Sequence, residues 1–210
     1  LDIFPIYTSS LSHLTKQPDA LAKRLPKDLT QLVYVSGVSE DGVVPNEALV
    51  RINADLPVTI MESLACSGLQ KFIFLSTMKV YGEFSEPGVN FTDTSIFNAV
   101  TDYARSKLQA EQKLTALAEK TGIRLIILRA PVIYGPSMKG NFLKLFEFVN
   151  KGIPVPASRL NNRAVLSVGN LASLIKFCCF SFHRFEISVS SFSIEFCLFL
   201  GSCNLASLMV

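Results

Sequence analysis

The chain has 210 residues, 49% of them apolar and 18% charged, with a formal net charge of +3. That length buries a sizeable core, and so apolar a composition excludes intrinsic disorder. The weak positive balance contains no run of four Lys or Arg and gives no electrostatic case for nucleic acid.

In chain order, residues 32–36 form a short apolar, β-rich run ended by Gly37, the pattern of a buried parallel strand. Residues 46–68 have helical spacing, interrupted by Pro57, with Gly68 where a helix terminus belongs. Residues 71–76 read as the second strand, and a polar loop with Pro87, Gly88 and Asn90 follows. Residues 102–120 are good helix formers with Leu108, Leu114 and Leu117 on a common stripe, stopped by Thr121 and Gly122. A third strand is expected at 124–129, a helix at 140–150 closed by Lys151 and Gly152, and a short strand at 164–168. Strands separated by helices imply βαβ crossovers: an α/β protein with a parallel sheet and helices on both faces.

The last 40 residues differ in character. Residues 171–210 hold four charges (Lys176, Arg184, Glu186, Glu195), seven of the sixteen Phe and eight Ser, without helical or alternating order. Two readings stand: an apolar C-terminal subdomain, or text never selected as protein. The expected organisation is a domain over 1–170 and an atypical tail over 171–210. The uncharged run 196–210 is 15 residues long, short of the roughly 20 that a spanning helix needs, so no membrane partner is expected. His13 and His183 stand far apart, which argues against a metal site. An odd number of cysteines and no signal-type segment favour a reducing, cytoplasmic setting.

Ligands of open α/β sheets gather at the carboxyl ends of the strands. Ser36-Gly37-Val38 follows the first strand, Ser76-Thr77 with Tyr81-Gly82 the second, and Pro131 to Pro136 the third. The sharpest signal is Tyr103-Ala-Arg-Ser-Lys107. Residues four apart share one helical face, so a phenol and an ammonium stand side by side. A neighbouring cation favours the phenolate and brings the phenol nearer to working pH. Such a phenol can take a proton from an alcohol whose carbon loses a hydride, while the Thr77 hydroxyl holds the oxygen.

Together, Ser76-Thr77 with Tyr81-Gly82, Tyr103-x-x-x-Lys107 placed 26 residues after Thr77, and Leu128-Arg-Ala-Pro131-x-x-Tyr-Gly-Pro136 resemble the extended short-chain dehydrogenase/reductase family. More narrowly, they are similar to the NAD-dependent nucleotide-sugar epimerases and dehydratases. Asn53 matches the family's Asn-Val-x-Gly-Thr helix, although Leu56 and Pro57 depart from it; Asn141 and Arg163 match two later segments. The resemblance covers about residues 30–175 and implies a Rossmann-type doubly wound sheet. It implies Tyr103 as catalytic acid/base, Lys107 on the nicotinamide ribose, and Thr77 on the sugar oxygen. Ser36, Gly37, Val38, Asn53, Ser76, Pro131, Val132 and Ile133 would line NAD or NADP, with Tyr103 and Lys107. Asn141 and Arg163 would meet the substrate diphosphate, for which an Arg fork is well shaped. The implied partner is a nucleotide sugar, and a homodimer is common in the family.

No G-x-x-G-x-x-G or G-x-G-x-x-G occurs in these residues, so the sheet is expected to be incomplete and the chain a fragment. Two other readings stay open: a reductase of a different ketone or alcohol, and an inactive relative that only binds. Asn141 and Arg163 argue against the first, since an apolar substrate needs no diphosphate anchor. The missing glycine-rich turn favours the second.

Overall fold

The computed structural model describes residues 28–38, 45–86, 89–136, 138, 141–153, 164–180 and 186–188. Strand β1 (Gln31–Tyr34) lies parallel to β2 (Lys71–Thr77), with Gln31 opposite Lys71 and Tyr34 opposite Phe74. Strand β3 (Arg124–Ala130) pairs in parallel with β6 (Glu186–Ser188), and the strand order is β1-β2-β3-β6. The Thr30 carbonyl accepts from Gln70 N and Lys71 N, and the Gln70 carbonyl from Arg124 N. Both long strands are buried almost end to end, which is why they read as unbroken apolar runs. A second, two-stranded parallel sheet joins β4 (Val132–Tyr134) to β5 (Val165–Ser167). Sequence reading missed β4, because Val132-Ile133-Tyr134 favour a strand individually but make a run of only three residues between prolines.

The chain divides into two compact units: 1–74 with 101–125, and 75–100 with 126–210. In the first, the stretch expected as one helix is three segments: α1 (Asn46–Val50), a π-helical turn (Arg51–Asp55) and α2 (Leu56–Ala65). Pro57 explains the break. It sits in the first turn of α2, where a missing N–H is tolerated. In the wider register the Leu56 N–H reaches the Arg51 carbonyl, and the next donor, to Ile52, would be the N–H that Pro57 lacks. The Tyr34 phenol stands 3.4 Å from that Ile52 carbonyl and points its hydroxyl at it.

Helix α3 (Asp102–Thr121) packs on the π turn and α2. The Thr101 hydroxyl oxygen caps its start by accepting from Ala104 N at 3.2 Å. Gly122, at φ +75°, ends it in the left-handed conformation that glycine adopts freely. Its buried stripe is Ala104, Lys107, Ala110, Glu111, Leu114 and Ala118. The stripe read from sequence is therefore corrected: Leu114 is buried, but Leu108 and Leu117 are only half-buried. Alanines face inward because they allow a close helix approach, and they bring Lys107 and Glu111 in with them.

The second unit holds the end of β2, a 3-10 turn (Met78–Tyr81), β4, helix α4 (Asn141–Asn150), β5 and helix α5 (Val168–Phe180). Helix α5 runs through residue 170 and buries Leu171, Leu174 and Cys178. Residues 189–210, most of the atypical tail, lie outside the described residues. Among the described residues no helix is long and apolar enough to cross a membrane.

Candidate active site

In the first unit, the loop after β1 carries Ser36, Gly37 and Val38. Asn53, fully buried in the π turn, holds this loop by its backbone. Its Oδ1 accepts from Val38 N at 2.8 Å, and its Nδ2 donates to the Val38 carbonyl at 3.0 Å. The same Nδ2 donates to Ser106 Oγ at 3.0 Å, and Ser106 Oγ donates to the Tyr103 carbonyl at 2.7 Å. One amide thus joins the loop to the turn of α3 that bears Tyr103. Asn53, a residue expected at the cofactor, has both amide hydrogens donated within the protein, to the Val38 carbonyl and to Ser106 Oγ. Ser106 was not singled out from sequence, since a serine on a helix is unremarkable until its tertiary partner is known.

Tyr103 is half-buried in the first turn of α3. Lys107, one turn further, is only 4% exposed. Its Nζ lies 4.8 Å from the centroid of the Phe74 ring. A Cβ added at Gly37 would come within 3.1 Å of Asn53 Oδ1 and 3.2 Å of Lys107 Nζ. The loop backbone therefore approaches the amine as closely as it does because residue 37 has no side chain. Burial lowers the Lys107 pKa to about 8, and the nearby Glu111 carboxylate opposes that shift. At pH 7 the group is still mostly an ammonium.

In the second unit, Ser76 and Thr77 close β2, both nearly buried. Thr77 Oγ1 accepts from Lys79 N at 3.3 Å and caps the 3-10 turn. A hydroxyl oriented this way keeps its own proton for donation. Pro131 is half-buried, and Val132 and Ile133, in β4, are 40% and 36% exposed. Asn141 opens α4. Arg163 lies outside the described residues.

Comparison with known proteins gives the fold first. The chain superimposes on UDP-glucuronic acid 4-epimerase from Bacillus cereus in complex with NAD with a TM-score of 0.68, at 20% identity, over 80% of this chain and 55% of that one. It superimposes on the UDP-glucose 4-epimerase of Thermus thermophilus in complex with NAD with a TM-score of 0.65, at 23% identity, over 80% of this chain and 58% of that one. These likenesses define a Rossmann-like α/β fold of which this chain holds part of the sheet. By sequence, a UDP-glucose 4-epimerase from Vibrio cholerae is 36% identical over 129 residues, 60% of this chain and 39% of that protein. The model of the NAD dependent epimerase/dehydratase family matches residues 13–177, and the chain belongs to that family. It spans about two fifths of the length of that curated relative.

The residues present fit the ribose end of a dinucleotide. A bare, exposed backbone at Gly37 lies close to a buried ammonium, and Asn53 holds the loop through the backbone of Val38.

Proposed function

We propose that the protein is an NAD- or NADP-dependent enzyme acting at a sugar carbon of a nucleotide sugar, by epimerisation, dehydration or reduction. The observation that carries this reading is the Tyr103–Lys107 pair, one helical turn apart. The amine is buried under the loop after β1, in a chain of this family. The nicotinamide cofactor, when bound, supplies the site that accepts and returns a hydride.

Tyr103 takes the proton from the sugar hydroxyl as its carbon is oxidised, and returns it when the carbonyl is reduced. The Lys107 ammonium stabilises the phenolate and holds the ribose hydroxyls. Thr77 donates its proton to the sugar oxygen. Ser36, Gly37 and Val38 present backbone to the cofactor, with Asn53 as the support behind them. In this reading Ser76, Pro131, Val132 and Ile133 also contact the cofactor, and Asn141 and Arg163 bind the diphosphate.

Tyr103→Phe tests the assignment. It removes the proton carrier while keeping the ring, so turnover of UDP-glucose with NAD is expected to fall by about a thousandfold. NADH affinity should change by less than about threefold, since phenol-to-cofactor contact is a small part of binding. A variant that turns over normally would overturn the acid/base assignment.

A further inference from the structure

The 3-10 turn that Thr77 caps is fixed at its other end by a group with no role in the reading above. Arg129, on β3, is only 2% exposed. Its Nη1 donates to the Tyr81 hydroxyl at 2.8 Å. Its guanidinium lies 5.3 Å from the centroid of the Tyr81 ring and 5.0 Å from that of Phe97. The Tyr81 ring in turn stacks with Phe91 and with Phe97, at 5.5 and 5.6 Å between centroids. Asn98 N donates to the Val80 carbonyl at 2.9 Å, and the Tyr81 hydroxyl reaches towards the Asp93 carbonyl at 3.5 Å. One cation therefore gathers the end of the turn and the segment 91–98.

We propose that Arg129 is a positioning residue for Thr77: by clamping Tyr81 among its neighbouring rings it fixes the turn whose Lys79 N–H orients the Thr77 hydroxyl. Three residues separate the clamped Tyr81 from Thr77, and a 3-10 turn of that length transmits a fixed end. Arginine suits the position because a planar guanidinium can stack on two rings and donate to a hydroxyl at once. Lysine keeps the charge and loses the plane. The inference rests on the role proposed for Thr77, and its test separates the two.

Amide hydrogen exchange on the Arg129→Lys protein reads the clamp without any activity. Exchange of the Lys79 and Asn98 amides is expected to rise at least tenfold, while amides in the middle of α3 stay within twofold. A rise spread evenly over the chain would overturn the clamp and leave ordinary destabilisation. Where Arg129→Lys does not fold, Tyr81→Phe removes the hydroxyl that accepts from Arg129 and reaches Asp93, and should move the same two amides in the same direction. Turnover of UDP-glucose with NAD then links the clamp to Thr77. Thr77→Val should lower kcat at least tenfold in the parent and less than threefold in Arg129→Lys, with the KM for NAD unchanged. Equal losses in both backgrounds would overturn the link to Thr77. No turnover in the parent, together with raised Lys79 exchange in Arg129→Lys, would overturn the catalytic reading and support the clamp.

Discussion

Lys107 meets two opposed demands. The acid/base role proposed for Tyr103 asks for a cation beside the phenol, and burial disfavours one. Its pKa of about 8 in the folded protein, against 10.5 for an ordinary lysine, gives stability a distinctive pH dependence. Between these values the unfolded chain binds a proton that the folded protein has released, so stability rises as pH rises and is lowest below pH 8. Denaturant unfolding at pH 8 and pH 10 should differ by about 2–3 kcal/mol in the parent's favour at pH 10. The increment should be absent in Lys107→Met; an equal increment there would show that another group titrates. At this scale the sequence was informative about Tyr103 and Lys107, since helical spacing alone brings them to one face. It was silent on Asn53 as a staple and on Ser106, because their partners are 15 and 53 residues away in the chain. Arg129 was visible only as part of a motif, and its aromatic box needs three distant segments.

The π turn shows how one element absorbs an awkward residue. A regular helix through 46–65 would place Pro57 in its interior, at a cost of about 3 kcal/mol. The five-residue turn moves Pro57 to the start of α2 and leaves the Ile52 carbonyl for the Tyr34 hydroxyl. Burial pushes the Tyr34 phenol well above its ordinary value, with a hydrogen bond from Ser36 working the other way, so the hydroxyl stays a donor at any physiological pH. Tyr34→Phe should cost about 1 kcal/mol, the worth of one modest hydrogen bond at 3.4 Å. Pro57→Ala should cost less than about 1 kcal/mol, acting through a looser unfolded chain rather than a mended helix. Urea unfolding of the two variants checks both; a loss of about 3 kcal/mol in Tyr34→Phe would show that the carbonyl depends on it far more. Sequence reading placed the interruption at Pro57 correctly, since proline is a local signal. It did not give the π register, which answers to a tertiary partner on β1. The long strands and α3 were legible because burial on both faces and helical periodicity leave strong patterns; the inward alanine stripe of α3 was not, because leucine dominated the apparent face.

On the scale of the whole molecule, the parallel order of the strands followed from the alternation of strand and helix. The family followed from motifs in sequence order, and the matched region of residues 13–177 agrees with it. Of the short second sheet, the strand expected at 164–168 is β5, but β4 and its pairing with β5 were beyond reach, because a three-residue strand is defined by its partner. The central claim is that the loop after β1, with the amine of Lys107 beneath it, receives a nicotinamide ribose. Titration of the protein with NADH, followed by nicotinamide fluorescence, tests this most directly when done beside Lys107→Ala. Saturable binding is expected, weakening at least tenfold on loss of the amine, roughly the worth of one charge-assisted hydrogen bond. No saturable binding by the parent, or equal affinity in the two proteins, would contradict the claim.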